Sequence, residues 1–149
     1  KNDIQDLIEL RLNLELLAIK NFIKEAKQSD FQDMEKTIDE SEILLNDGEL
    51  LEYLNHDYNF HKIGYTRQHN RFISKTLDNY LIFIQFIRYI SMGRDDDFIE
   101  TARLSIIDHR DILEALKERN YTKTKLLFTK HLSHHKDKTI LEISTQSIE

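Results

Sequence analysis

The segment 56–61, His-Asp-Tyr-Asn-Phe-His, contains two potential metal ligands at helical spacing. Asp57 and His61 are four residues apart, so in a helix they lie on one face, one turn apart. A carboxylate and an imidazole at this spacing suit a divalent metal ion, although the same pair is common on solvated helices. A metal site therefore needs further ligands from elsewhere in the chain.

Two later histidines provide those ligands if their helices pair. His109 and His131 each lie eleven residues from Asn120, where the apolar helical pattern breaks. Eleven residues of helix span ~16 Å, so an antiparallel hairpin that turns near Asn120 brings both histidines to the same height. Facing inward, they would meet Asp57 and His61. The spacing predicts three imidazoles and one carboxylate around a divalent ion, with zinc first and nickel, manganese or iron as alternatives.

Other interpretations of the histidines stay open at this point. The chain has seven histidines in 149 residues, so a pair at helical spacing also arises by chance. The histidines at 134–135 share the helix face of His131 and compete with it as ligands, or form a solvated face with it. His56 and His69 have no matching partner and are interpreted as surface or turn residues. Asp108 is placed to interact with the histidines without itself binding the metal.

Helical periodicity runs through the chain, and polar breaks divide it. Three glycines and no proline leave too little turn punctuation for a β-sandwich or an α/β fold. We therefore predict an all-α fold, an antiparallel bundle of six or seven helices. The seventh helix arises if the first segment bends near 15–17. The predicted helices cover about 3–27, a segment from a Ser29 cap to a stop at 46–48, 49–66, 70–92, 96–119 and 122–144.

Local signals mark several helix ends. Ser29 followed by Gln32 fits a capping box, and Gly48 suits the left-handed conformation that ends a helix. Asn70 is a candidate cap for the segment 70–92. That segment is apolar on more than one face, which indicates a central helix or a subunit interface.

Composition excludes several classes of protein. The chain has no cysteine, which excludes disulfides, thiolate chemistry and cysteine-type zinc sites. The net charge of −6 argues against direct binding of nucleic acid by these residues. No apolar run approaches the roughly 20 residues of a membrane span, because Gln85 and Arg88 interrupt the most apolar stretch, 80–90. The length fits a single domain, 1–149.

Three motifs in order resemble a known family. The segment 7–15 contains an Arg followed four residues later by Glu, and 57–70 has the pattern Asp-x-x-Phe-His with a loop ending in Asn. In 108–132, an acidic-His pair is followed 22 residues later by His-Leu. From about Ile4 to Leu132, the chain is similar to the FCD domain. This is the effector-binding C-terminal domain of FadR-type regulators in the GntR family of bacterial transcription factors.

The resemblance implies roles for particular residues. In the metal-binding branch of the family, the matching positions hold a divalent metal at which a carboxylate effector sits. Arg11 is the residue placed to meet that carboxylate, although pairing with Glu15 is an alternative role for it. Asn70 either lines the pocket or only caps a helix. The implied metal ligands are Asp57, His61, His109 and His131.

The resemblance also implies a setting for the domain. We expect a cytoplasmic homodimer that is not an enzyme and contacts no membrane. It would reach DNA through an N-terminal winged-helix domain that this chain does not contain. Two other functions stay open, namely a mononuclear helical-bundle metalloenzyme and a metal-free domain that dimerises through 70–92.

Overall fold

The computed structural model describes the backbone of residues 2–92 and 97–146, and the side chains of 5–90, 92 and 97–134. The described residues form six helices and no strand, which confirms the predicted all-α bundle. The predicted turn at 93–97 lies outside the described residues except for Asp97. The helices are α1 (Asn2–Glu25), α2 (Gln28–Asp47), α3 (Leu50–Ile63), α4 (Arg71–Ser91), α5 (Phe98–Lys117) and α6 (Tyr121–Gln146).

The six helices pack as a closed ring of neighbours. In order around the ring, the main contacts join α1, α4, α3, α2, α5 and α6, and α6 returns to α1. Large apolar side chains fill the interior, and burial of each stabilises the fold by roughly 1.5–3 kcal/mol. Among the largest fully buried are Phe22, Met34, Tyr53, Phe60 and Phe128. Because α3, α5 and α6 all contribute to this core, side chains on their inner faces have fixed positions.

Helix α1 is continuous from Asn2 to Glu25, so it is not divided near 15–17 and the described residues form six helices, the lower of the two predicted numbers. Glu15 is buried and accepts a hydrogen bond from Arg11 Nε at 2.5 Å, one turn earlier. An ion pair at this spacing favours an unbroken helix.

The predicted Ser29 cap is wrong, because α2 begins at Gln28, before that residue. Lys27 is the capping position, and its backbone N–H donates to Asp30 Oδ2 at 2.7 Å. Asp30 also accepts two hydrogen bonds from the guanidinium Nη2 of Arg67. The Asp30 carboxylate therefore joins the start of α2 to the loop that contains Arg67.

The other helix ends follow the sequence signals. Gly48 adopts a left-handed conformation with φ 79° after α2, and Asn70 Oδ1 accepts a hydrogen bond from the Phe72 N–H at the start of α4. The α5–α6 turn places Arg119 at φ 53°, and Asn120 Oδ1 then accepts from the Lys123 N–H. No helix in the described part of the chain combines the length and apolarity needed to cross a membrane.

Candidate functional site

The inner face of α3 carries the first two predicted ligands. Asp57 and His61 are both buried, and Phe60 beside them is fully buried. The ring of Phe60 stacks on that of His109 with 4.0 Å between centroids. Phe60 therefore fixes a site histidine by packing, because its phenyl ring has no atom that binds a metal.

The α5–α6 hairpin brings the two later histidines together. His109 Nε2 lies 3.2 Å from His131 Nε2, and both residues are buried. His131 Nε2 also lies 3.4 Å from His61 Nε2. The three imidazoles thus form one compact group, with their ligand atoms all within 4.8 Å of one another.

Two carboxylates orient these imidazoles. His61 Nδ1 lies 2.9 Å from Glu15 Oε2, and His131 Nδ1 lies 3.3 Å from Asp108 Oδ2. An ionised carboxylate only accepts hydrogen bonds, so an imidazole in the neutral form that binds a metal would carry its proton on Nδ1 here. The Nε2 atoms of His61 and His131 then present lone pairs to each other, an arrangement that a cation between them would stabilise.

The donor set fits a divalent metal ion. Two nitrogens that each lie ~2.0–2.1 Å from a tetrahedral zinc ion are ~3.3 Å apart. The observed Nε2 separations of 3.2 and 3.4 Å match this spacing. Imidazole ligands whose Nδ1–H groups are held by carboxylates are also typical of protein metal sites.

The charges around the histidines are strongly coupled. Burial by itself would raise the pKa of Glu15, but Arg11 and His61 outweigh it and lower that pKa to about 2. Burial lowers the pKa of His131, and its hydrogen bond to Asp108 opposes the shift only in part. His131 therefore favours the neutral form, which is the form that binds a metal.

Asp57 lies beside the histidine group with its carboxylate bound to other side chains. Its Oδ1 accepts a hydrogen bond from Ser105 Oγ at 3.0 Å, and its Oδ2 accepts one from Arg88 Nη1. Arg88 Nη2 also lies 3.3 Å from the Tyr53 hydroxyl oxygen. Burial would lower the pKa of Arg88, but the charges of and hydrogen bonds to Asp57 and Tyr53 together outweigh it and raise that pKa above its ordinary value.

A small cavity of about 30 Å³ adjoins the site. Its volume holds only about two or three water molecules, so an organic ligand requires movement of the lining side chains. Its apolar wall includes Leu54, Leu81 and Ile84. The polar and charged lining comes from Arg11, Asp57, His61, Gln85, Arg88 and His131.

Of the two predicted effector-binding residues, Arg11 lines the cavity and Asn70 does not. Arg11 is buried and lines the cavity while it pairs with Glu15. Asn70 is exposed, caps α4 and is not among the described residues that line the cavity.

The three other histidines with described side chains lie outside the group of three. His56 Nδ1 is 3.4 Å from Glu40 Oε2, and the exposed His69 pairs with Glu25. His134 is half exposed and lies 3.6 Å from Asp108. The side chain of His135 lies outside the described residues, so its competition with His131 stays a prediction.

Sequence reasoning missed several residues of the site. Glu15 was treated only as a partner of Arg11, yet it also binds His61. Gln85 and Arg88 were noted only as interruptions of an apolar stretch, yet both line the cavity. That interruption was the available signal, because isolated polar residues on an otherwise apolar helix mark the face that meets a polar site.

Comparison with known proteins places this chain in a family. The family model of the FCD domain matches residues 6–134. Over 133 residues, the chain is 27% identical to a Bacillus subtilis (strain 168) protein named "Uncharacterized HTH-type transcriptional regulator YdhC". That alignment covers 89% of this chain and 58% of the relative, so the chain spans little more than half of the relative's length.

Two solved structures share the fold. "E. coli McbR/YncC" matches with a TM-score of 0.85 and 12% identity over 96% of this chain and 66% of that one. "Streptococcus agalactiae GntR" matches with a TM-score of 0.73 and 21% identity over 91% of this chain and 58% of that one. The family match covers most of the sequence and includes all three motifs that carried the resemblance. The chain therefore belongs to the FCD domain family.

Proposed function

We propose that this chain is the effector-sensing domain of a bacterial transcription regulator and acts through a metal centre. Asp57, His61, His109 and His131 hold a divalent ion, with zinc as the first candidate. A small carboxylate binds at the ion with Arg11 as its counter-charge. The domain senses this ligand and does not turn it over.

The convergence of three buried imidazoles carries the proposal. Their Nε2 atoms meet at separations suited to one ion, and Glu15 and Asp108 fix two of the rings from behind. When bound, the ion would supply a Lewis-acidic charge for a carboxylate ligand. The protein would bind and orient that ligand and exclude water from the buried site.

The proposal extends to a dimer in a longer protein. The relative from Bacillus subtilis is named as an HTH-type regulator, which supports a DNA-binding domain outside this chain. Four large apolar side chains on one stretch of α4 are about half exposed, which supports burial against a second copy. They are Ile82, Phe83, Phe86 and Tyr89.

Ligand binding would act by favouring one dimer geometry. A ligand shifts an equilibrium only as far as its affinity differs between two states. Helix α4 contributes both the exposed apolar residues and four cavity residues, Leu81, Ile84, Gln85 and Arg88. A ligand that moves α4 would therefore change the spacing of two attached DNA-binding domains. Such a regulator acts in the cytoplasm.

Metal analysis of the purified protein tests the proposal. We expect about one divalent ion per chain, and its loss in the His109→Ala plus His131→Ala double variant. The control is His69→Ala, which changes an exposed histidine paired with Glu25. Chelation should lower the melting temperature, because an ion at 100 times its Kd stabilises the folded state by about 2.7 kcal/mol. A metal-free protein after reconstitution with zinc, or unchanged metal content in the double variant, would refute the metal centre.

A further inference from the structure

Arg88 holds the carboxylate that the proposed metal centre needs. It extends from α4 to α3, where Nη1 donates to Asp57 Oδ2. Ser105 Oγ donates to the other oxygen of Asp57 at 3.0 Å. In this conformation, both oxygens of Asp57 are engaged by protein groups. A metal ion that recruits Asp57 must therefore compete with the guanidinium of Arg88.

The buried charges around the cavity are balanced before any ion binds. Arg11 pairs with Glu15, Arg88 pairs with Asp57, and Lys130 pairs with Asp108. A divalent ion adds two positive charges to these three neutral pairs. Excess charge in a buried site is strongly unfavourable unless it is paired. Metal binding therefore creates a demand for two negative charges from a ligand.

The cavity lining suits a short chain with an anionic group at each end. Asp57 is the one acidic residue in the described lining, and two guanidiniums face the same space. The lining also contains Leu54, Leu81 and Ile84, which would contact a hydrocarbon body. The volume of about 30 Å³ is too small for such a ligand until lining side chains move.

We infer that metal binding transfers Asp57 from Arg88 to the ion and converts Arg88 into an anion-binding residue, so that the site takes a short dicarboxylate. One carboxylate binds at the metal and the other at the guanidinium of Arg88, whose fork matches a carboxylate. This inference rests on the proposed metal centre and names the class of effector. It also predicts the order of binding, with the metal before the anion.

Titration calorimetry with zinc, succinate and propionate tests the inference. The metal-free wild-type chain should bind neither acid measurably. The zinc-loaded chain should bind succinate at least about tenfold more tightly than propionate, the magnitude expected for hydrogen bonds to a charged group. In Arg88→Gln, zinc affinity should rise because Asp57 loses its competing partner, and the preference for succinate should disappear.

The control is Arg110→Gln. Arg110 is also an arginine with carboxylate partners, Asp39 and Glu42, but it lies on the exposed side of α5. In this variant, the affinities for zinc, succinate and propionate should match those of the wild type. If Arg88→Gln does not fold, Asp57→Asn replaces it. That variant releases Arg88 without metal, so its metal-free form should bind succinate measurably.

The outcomes separate this inference from the proposed function. Absence of zinc binding in the wild type overturns both. Zinc binding in the wild type, with zinc affinity and succinate preference unchanged in Arg88→Gln, overturns the inference alone. Metal-free Asp57→Asn that binds no more succinate than the metal-free wild type also overturns it.

Discussion

Replacing Glu15 with Gln tests the carboxylate that links Arg11 to the histidine group. Glu15 lies between two buried partners, with Arg11 Nε at 2.5 Å and His61 Nδ1 at 2.9 Å. Gln has nearly the same shape but no charge, so Arg11 would remain buried without its counter-ion. We expect a large loss of stability in the metal-free protein, together with a zinc affinity that is ~10–100-fold weaker.

The magnitude follows from the ionisation of Glu15. Its pKa falls from an ordinary value of 4.5 to about 2 in the folded protein. Each unit corresponds to ~1.36 kcal/mol, so the charged form of Glu15 stabilises the fold by about 3 kcal/mol at neutral pH. This value agrees with the typical cost of removing one partner from a buried ion pair, which is ~3–5 kcal/mol. A free energy of unfolding is typically ~5–15 kcal/mol, so this loss is readily measured.

Urea denaturation of the metal-free protein at several pH values provides the assay. Because the folded pKa is the lower one, the stabilisation is fully present above about pH 4.5 and is lost as the pH falls through about 2. The difference between Glu15→Gln and the wild type should therefore be constant from about pH 7 to pH 5 and shrink below that range.

Glu42→Gln is the matched control. Glu42 also pairs with an arginine, Arg110, at 2.6 Å, but about half of its side chain is exposed. This change should cost less than ~1 kcal/mol. A Glu15→Gln protein within ~0.5 kcal/mol of the wild type at neutral pH would show that Glu15 does not stabilise the buried charges.

Three further predictions concern the site and its surroundings. Phe60→Ala should lower the free energy of unfolding by ~3–5 kcal/mol, whereas Phe72→Ala, at an exposed position, should change it by less than ~0.5 kcal/mol in the same urea assay. Asn70→Ala should cost about 1 kcal/mol through loss of its cap and leave effector affinity unchanged, and weaker effector binding by the folded variant would instead assign Asn70 to the pocket. Burial lowers the pKa of His131 below 6.5, with Asp108 opposing the shift only in part, so metal-free stability should fall as the pH drops below about 6.5. His131→Gln should reduce that pH slope, and an unchanged slope would contradict the assignment.

The helix boundaries were largely predictable because their signals are local. Gly48 ends α2 with a positive φ, and the Asn70 side chain caps α4. Each of these helix ends depends on only a few neighbouring residues. The Ser29 cap was wrong because α2 begins at Gln28, where Asp30 accepts the hydrogen bond from the Lys27 N–H. Arg67 also binds Asp30 from 37 residues away in sequence, and local capping patterns contain no information about such a partner.

The histidine group was partly predictable from regular geometry. Asp57 and His61 lie four residues apart in α3, and His109 and His131 are equally far from Asn120. Whether these residues come close depends mainly on helical rise and rotation, which are regular. The orienting carboxylates were harder to identify. Glu15 reaches His61 across 46 residues of sequence, and the rotation of α1 against α3 decides whether they meet. Periodicity identifies the apolar face of a helix but does not identify the neighbour that it packs against.

By itself, the sequence determined an all-α bundle, most of its helix ends, the shared face of Asp57 and His61, and the family motifs. These features follow from residue type and from distances of one or two helical turns. Only the tertiary structure decided that Glu15 and Asp108 orient two imidazoles and that Arg88 engages Asp57. It also decided that the adjoining cavity is about 30 Å³. The physical reason is that these contacts join different helices, whose relative rotation and depth are set by packing of the whole core.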